Sequence, residues 1–109
     1  GAGVVGAPGN PAYTAAKHGV VGLVKLAAAE YACSGIRVNA ILPGPTDTPM
    51  LRAALAANPG MEQFLTRMLP QGRLGTADEV AAVAVWLCSP AATYVSGVNL
   101  VVDGGVINR

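Results

Sequence analysis

Two short apolar segments separated by a long helix-forming stretch constrain the fold of this chain more than any other feature. Residues 36–42 read IRVNAIL and residues 97–102 read GVNLVV. Both are short, largely apolar and rich in β-branched side chains, which is typical of buried strands. A helical crossover between two such strands gives a parallel pair in a right-handed βαβ unit. The sequence therefore predicts an α/β fold with a parallel sheet.

Two strands are too few for a complete sheet of this kind. A parallel sheet needs helices on both faces, and sheets have about five or six strands on average. The chain also begins at Gly1 without a methionine. We therefore expect residues 1–109 to be a partial, C-terminal segment of one doubly wound parallel-sheet domain from a longer protein.

The first helix is predicted from its start and stop signals. Asn10 supplies a capping side chain and Pro11 suits the first helical position, so a helix is expected from there to about Cys33. Gly19 and Gly22 lie inside it, where each costs about 1 kcal/mol relative to alanine. Glycines at such a cost suggest that another backbone approaches this face closely.

Three further helices are predicted between the two strands. Residues 50–57 and 61–69 are expected to form two short helices, preceded by a loop over 43–49 that proline and glycine break. Thr76 with Glu79 three residues later predicts a capping box that opens the last helix.

Composition excludes several classes of function. The chain is 52% hydrophobic and 12% charged, with a formal net charge of +1, so no basic patch indicates nucleic acid binding. The longest apolar runs are shorter than the roughly 18 residues of a membrane span, and no signal peptide is visible. Cys33 and Cys88 stand in no metal-binding spacing, which favours reduced, buried thiols, no metal site and a cytoplasmic protein.

Tyr13 and Lys17 are the pair that most suggests chemistry. Four residues apart, they lie on one face of the first helix, near its start. A lysine ammonium close to a tyrosine hydroxyl favours the phenolate, and the positive end of the helix acts in the same direction. Such a tyrosine can give a proton to a carbonyl or take one from an alcohol. The spacing alone is also compatible with a chance pair.

Four ordered motifs that cover nearly the whole chain resemble the short-chain dehydrogenase/reductase family. AYTAAKHGVVGLVKLAAAEY is similar to the helix with the family's Tyr-x-x-x-Lys motif, and GIRVNAILPGPTDTPM to the next strand and its Pro-Gly-x-x-x-Thr turn. GRLGTADEVAAVAVWLCSP is similar to the last helix with its Arg-x-Gly lead-in, and YVSGVNLVVDGG to the closing strand. The resemblance implies the C-terminal portion of a Rossmann-like domain.

The resemblance also implies an activity, namely that of an NAD(P)-dependent oxidoreductase that interconverts an alcohol and a ketone by hydride transfer. Tyr13 would be the general acid and base, and Lys17 would favour its phenolate and hydrogen-bond the nicotinamide ribose. The implied cofactor is NAD or NADP, and the implied substrate is a small-molecule alcohol or ketone. The implied assembly is a homo-oligomer, either a dimer or a homotetramer.

The loop after the first strand is implied to bind the nicotinamide. In open α/β sheets, ligands lie outside the carboxyl ends of the strands. Pro43 and Gly44 would let the backbone approach the nicotinamide, and Thr48 matches the family threonine that contacts the carboxamide. Thr46 stands where the family usually has valine or isoleucine, whose backbone binds the carboxamide. For both threonines, capping of the turn is the alternative.

Residues 50–69 are implied to form a lid over the substrate. Several of their apolar side chains would line the substrate site or, equally, serve as ordinary packing of a mobile helix pair: Met50, Leu51, Leu55, Phe64 and Met68.

Structural roles are expected for several remaining residues. Trp86 and Tyr94 are interpreted as packing groups, and Arg37 as solvated or in a weak ion pair. Asp103 is expected to stabilise a turn or an interface, and His18 to be a structural or surface residue.

Parts of the family's active site fall outside this sequence. Its Gly-rich phosphate turn and the residue that separates NAD from NADP belong upstream. The family's catalytic serine stands thirteen positions before the tyrosine, which from Tyr13 is the position immediately before Gly1. We therefore expect the chain alone to be inactive. The alternative is a non-catalytic piece that keeps only the family's oligomerisation surfaces.

Overall fold

The computed structural model describes residues 11–108, which form helices and two parallel strand pairs. Their order is α1 (Pro11–Tyr31), β1 (Ala40–Pro43), β2 (Thr46–Asp47), α2 (Pro49–Ala56), α3 (Met61–Met68), β3 (Gly75–Thr76), α4 (Ala77–Leu87) and β4 (Asn99–Val102). Short 3-10 helices lie at Ala32–Ser34, Pro90–Ala92 and Val106–Asn108. The predicted α/β fold with a parallel pair of apolar strands is confirmed.

The main strand pair joins β1 to β4 in parallel. Its register runs from Ala40 opposite Asn99 to Pro43 opposite Val102. The observed strands are shorter than the predicted 36–42 and 97–102, because side chains bond the segment before β1. Asn39 donates to the carbonyl of Val95 at 2.9 Å and accepts from the amide of Val98 at 3.0 Å. Together with the backbone bond from Gly97 to Val38 at 2.7 Å, these bonds join the two segments ahead of the strands.

A second strand pair, β2 with β3, is absent from the sequence-based prediction. It has two residues on each strand, with Thr46 opposite Gly75 and Asp47 opposite Thr76. Two-residue strands carry no measurable alternation, so periodicity cannot reveal them. The pair holds the loop after β1 against the start of α4.

The predicted helices agree with the structure to within a few residues at their ends. The predicted cap Asn10 lies outside the described residues. At the other end the 3-10 helix Ala32–Ser34 continues α1, and it ends at Gly35, which is in the left-handed conformation at φ 74°. At the start of α4 the capping box is confirmed. The Thr76 hydroxyl accepts from the amide of Glu79 at 3.1 Å, and the Glu79 carboxylate accepts from the amide of Thr76 at 3.0 Å.

The core lies beneath α2 and α3. Leu55, Leu69 and Leu74 form its buried centre, with partly buried side chains packed around them: Leu51, Leu65 and Val106. Burying a leucine stabilises a fold by about 1.5–3 kcal/mol. The two short helices are therefore anchored to the chain that follows them.

Most of α1 remains outside this core. Of its described residues only Ala28 is buried, while Val20, Leu23 and Leu26 are each more than half exposed. An added Cβ at Gly19 or at Gly22 would meet nothing within 4 Å. The predicted close approach to these glycines is thus not made by residues 11–108.

Three other expectations of burial or solvation are wrong in this structure. Cys33 and Cys88 are exposed: Cys33 lies in the 3-10 helix after α1, and Cys88 directly follows α4. Trp86 is 44% exposed and Tyr94 fully exposed, so neither packs in the core. Arg37, expected to be solvated or in a weak ion pair, instead donates to the carbonyls of Val95 and Ser89 at 3.2 and 3.4 Å.

The ion pair between Arg73 and Glu79 at the start of α4 is expected to make stability depend on pH. Hydrogen bonds from the Arg73 guanidinium, at 2.7 and 3.0 Å, and from Thr76 lower the pKa of Glu79 from 4.5 to about 2. Because the folded pKa is depressed, the stabilising contribution is complete above pH 4.5 and is lost as pH falls towards 2. Arg73→Gln is expected to raise the pKa of Glu79 towards its ordinary value.

A carbon-13 NMR titration of the Glu79 carboxyl group measures this change directly. Arg67→Gln is a suitable control. The substitution removes the same charge, and Arg67 is exposed in the last turn of α3. A Glu79 midpoint that stays near 2 in Arg73→Gln would contradict the assignment.

Candidate active site

One cleft at the carboxyl end of β1 contains every residue predicted to take part in catalysis or cofactor binding. Its volume is about 460 Å³. It is lined by Tyr13, Lys17, Pro43, Gly44, Pro45, Thr46, Thr48, Met50, Leu51, Ala77 and Val80. The first turns of α1 thus meet the loop after β1, although some 30 residues separate them in the sequence.

Tyr13 and Lys17 are in contact within this cleft. The Nζ of Lys17 lies over the ring of Tyr13, 5.2 Å from its centroid. An ammonium at this distance is attracted by the negative face of the ring. The contact follows from their spacing on α1, because residues four apart are neighbours on one helix face. Lys17 therefore places its positive charge next to the tyrosine, as the sequence predicts.

The two threonines of the loop also make local hydrogen bonds. The hydroxyl of Thr46 donates to the carbonyl of Gly44 at 2.9 Å. Thr48 caps α2, and its hydroxyl oxygen accepts from the amide of Leu51 at 3.3 Å. The turn-capping alternative is thus observed for both. A hydroxyl has one donor and two acceptor sites, so each keeps capacity towards the cleft, and their contact with a carboxamide stays a prediction.

Gly44 is required by the fold itself. Its amide donates to the carbonyl of Val102 at 2.9 Å, which extends the β1–β4 ladder. A Cβ on Gly44 would stand 2.6 Å from the Cβ and 2.8 Å from the Cα of Asp103. The structure thus shows a close approach to Gly44 by the chain after β4. An approach by the nicotinamide stays a prediction, since Gly44 also lines the cleft.

Asp103 stabilises the turn after β4. Its carboxylate accepts from the amide of Gly105 at 2.8 Å and from the amide of Ile107 at 3.0 Å. The turn role predicted for Asp103 is thereby confirmed. These bonds also fix the position of Asp103 opposite Gly44.

The candidate lid residues divide into three groups. Met50 and Leu51 line the cleft, and Leu51 also packs against the core. Leu55 lies in the core, so the packing alternative holds for it. Phe64 and Met68 are exposed and do not line this cleft. His18 does not line it either, and its Nδ1 lies 2.9 Å from the carbonyl oxygen of Thr14.

Sequence reasoning missed two features of the site. Ala77 and Val80, three residues apart in the first turn of α4, form a further wall of the cleft. A second cleft of about 380 Å³ adjoins the first and carries charged side chains, among them Arg73 and Glu79. Neither has a local signal, since both depend on how β3 positions α4 against the loop.

The described residues offer neither a metal-binding cluster nor a membrane-spanning helix. In residues 11–108, no three histidine, cysteine or acidic side chains are grouped to hold a metal ion. No helix in that range has the length and hydrophobicity to cross a membrane.

Comparison with known proteins identifies the family. The sequence profile described as enoyl-(acyl carrier protein) reductase matches residues 1–107. The chain belongs to the short-chain dehydrogenase/reductase family. It is 50% identical over 104 residues to a 2,5-dichloro-2,5-cyclohexadiene-1,4-diol dehydrogenase of Sphingobium indicum, which covers 95% of this chain and 42% of that protein. The chain thus spans about two fifths of the length of this relative.

Solved structures of other members share its fold. A candidate 2-deoxy-d-gluconate 3-dehydrogenase from Agrobacterium tumefaciens, solved with bound NADP, superposes with a TM-score of 0.91 at 45% identity. The match covers 99% of this chain and 44% of that one. A 4-hydroxyisoleucine dehydrogenase in complex with NADH gives a TM-score of 0.90 at 30% identity, over the same shares of the two chains. One of these two relatives was thus solved with NADP and the other with NADH.

Proposed function

We propose that this chain is the C-terminal part of a single Rossmann-like domain whose full-length protein is an NAD(P)-dependent oxidoreductase. The full-length protein would interconvert an alcohol and a ketone by hydride transfer. One observation carries the proposal: Tyr13, Lys17 and the loop 43–48, which are distant in sequence, line the same cleft. Alone, the chain would lack the rest of the cofactor site and be inactive.

The residues present fit the nicotinamide half of the cofactor. The cleft volume lies in the range of about 300–1,000 Å³ that is usual for ligand pockets. Lys17 offers an ammonium for a ribose hydroxyl, and the hydroxyls of Thr46 and Thr48 offer partners for a carboxamide. NAD or NADP would supply or accept the hydride. The relatives solved with NADP and with NADH support both as candidates.

Tyr13 would move the proton. In the reduction, its hydroxyl donates a proton to the substrate oxygen as that oxygen gains negative charge, and in the oxidation the phenolate takes the proton back. Lys17, with its Nζ 5.2 Å from the centroid of the ring, places a positive charge beside the group that would move the proton. Apolar side chains on the opposite walls, Met50, Leu51 and Val80, would exclude water from the reacting groups.

The substrate would be a small uncharged alcohol or ketone. Lys17 is the charged side chain among the described residues that line the cleft, and the proposal engages it with the cofactor. The remaining lining is apolar or hydroxylic. The cyclic diol named for the Sphingobium relative is consistent with this class.

The test replaces one lysine of α1 at a time in the full-length protein. Lys17→Ala is expected to lower kcat/KM by about 10²-fold, because the phenolate and the ribose both lose their cationic partner. Lys25→Ala is the matched control, since Lys25 lies on the same helix and does not line the cleft. Activity is measured as oxidation of NADH and NADPH with a panel of ketones. A Lys17 variant as active as the Lys25 variant would refute the proposal.

A second function, association without catalysis, is favoured by the surface of α1. Val20, Leu23 and Leu26 are exposed together with Tyr31, and apolar side chains grouped on one helix are typical of an interface. We infer that α1 is covered in the full-length protein, with a homo-oligomer as the proposed assembly. An associating, non-catalytic protein would not oxidise NADH or NADPH, with or without Lys17→Ala. The same test therefore separates the two functions. The cytoplasmic location stays a prediction.

A further inference from the structure

Arg52 joins three elements of the fold, two of which line the cleft, with one guanidinium group. It lies in the first turns of α2. Its Nε and Nη2 donate to the two carboxylate oxygens of Asp47 at 2.7 and 2.9 Å. Its Nη1 donates to the carboxylate of Glu62 in the first turn of α3 at 2.6 Å. β2, α2 and α3 are therefore held together by a single side chain, which we call the Arg52 clamp (Asp47, Arg52 and Glu62).

The two hydrogen bonds to Asp47 restrict both the orientation of the loop after β1 and its distance from α2. Two parallel hydrogen bonds between a guanidinium and a carboxylate fix orientation in addition to separation. Asp47 stands between Thr46 and Thr48, both of which line the cleft. The amide of Arg52 also donates to the carbonyl of Thr48 at 2.9 Å. Residues 47–52 are thus closed into a short loop by hydrogen bonds, next to the two threonines that line the cleft.

The bond to Glu62 acts on the other side of the same helix. Met50 and Leu51, which line the cleft and would form its substrate side, directly precede Arg52. The turn between α2 and α3 ends at Gly60, whose φ is 83°. Leu55 and Leu65 hold the two helices at the apolar core, and the Arg52–Glu62 pair holds the beginning of α3 on the polar side.

The energetics of the clamp favour a positioning role. Its side chains are 44–50% exposed, and ion pairs at such sites contribute little to global stability. The hydrogen bond from Arg52 lowers the pKa of Asp47, because the guanidinium favours the charged carboxylate. A bidentate pair with little effect on overall stability still restricts where the loop and the helix can lie.

We propose that Arg52 is a positioning residue that couples the cofactor side of the cleft to its substrate side. The role rests on the proposed oxidoreductase function. Arg52 does not touch the cleft itself and would act through Asp47 on Thr46 and Thr48, and through α2 and Glu62 on the wall formed by Met50 and Leu51. Loss of Arg52 would then weaken the binding of cofactor and of substrate together.

The test compares Arg52→Gln with Arg67→Gln in the full-length protein. Both remove one exposed arginine from the α2–α3 region, and Arg67 is absent from the clamp and from the cleft. In Arg52→Gln we expect KM for cofactor and for substrate each to rise about fivefold, with a smaller change in kcat, because Tyr13 and Lys17 are held by α1. Arg67→Gln is expected to match the wild type. Arg52→Lys keeps the charge but cannot make the two parallel hydrogen bonds to Asp47, so its KM values should lie between those of the other two variants.

Single-sided variants separate the two halves of the clamp. Asp47→Asn is expected to raise the Kd for cofactor, measured by fluorescence. Glu62→Gln is expected to raise the substrate KM and to speed amide hydrogen exchange over residues 57–62, with the cofactor Kd nearly unchanged. Exchange and cofactor binding need no turnover, so they report the clamp independently of the chemical step.

Two outcomes would overturn the inference, and they are distinguishable. If the wild type turns over and Arg52→Gln matches Arg67→Gln in both KM values and in exchange, the positioning role of Arg52 is wrong and the oxidoreductase function stands. If the wild type and every variant lack turnover with NADH and NADPH, the proposed function is wrong, and the coupling role of Arg52 is wrong with it.

Discussion

Tyr13→Phe in the full-length protein is expected to lower kcat by about 10³-fold, with the Kd for NAD or NADP nearly unchanged. A positioned acid or base contributes roughly 10²–10⁴-fold to a rate, and phenylalanine keeps the ring while removing the proton donor. The ring contact with Lys17, at 5.2 Å from the centroid, can persist in the variant. The lysine should therefore stay in place, so that the loss reports the hydroxyl alone.

A matched variant on the same helix makes this experiment specific. Tyr31→Phe removes the same hydroxyl group at the other end of α1, at a residue that does not line the cleft. We expect it to retain the wild-type rate. Steady-state kinetics gives kcat, and quenching of protein fluorescence by the cofactor gives Kd. If Tyr13→Phe kept the rate of Tyr31→Phe, Tyr13 would not be the proton donor.

Gly44→Ala is expected to destabilise the full-length protein by about 2–3 kcal/mol, as an overpacked core does. The added Cβ would meet the Cβ of Asp103 at 2.6 Å and its Cα at 2.8 Å. A rotamer change relieves neither contact, because the backbone sets the positions of both the Cα and the Cβ of Asp103. The turn after β4 is held by the Asp103 carboxylate, so the loop after β1 would have to move. Cofactor affinity should fall with stability.

Urea unfolding monitored by circular dichroism measures the loss of stability. Gly75→Ala is the control: its Cβ would meet its nearest neighbour, the carbonyl oxygen of Pro45, at 3.8 Å, an ordinary contact. We expect that variant to unfold close to the wild type. Equal stability of the two variants would show that the turn at Asp103 yields easily, and would remove the structural reason for a glycine at position 44.

Much of the local structure follows from the sequence by itself. The capping box of Thr76 and Glu79 depends on neighbours within a few residues, and so does the left-handed Gly35 after the 3-10 helix that continues α1. The local pattern therefore determines both. The contact between Tyr13 and Lys17 has the same origin, because it is set by one turn of helix. The order of four motifs likewise indicated the family to which the chain belongs.

Only the tertiary structure decided which distant residues share a site. The cleft forms because β1 pairs with β4 and β2 with β3, which places α1, the loop after β1 and α4 around one space. The contact of Gly44 with Asp103 and the Arg52 clamp arise from the same packing. The exposure of Trp86 and Tyr94 also depends on which surfaces other elements cover. Their aromatic side chains had predicted packing in the core, which is wrong. Contacts across tens of residues leave no periodic signal in the sequence, since they are set by strand pairing and packing.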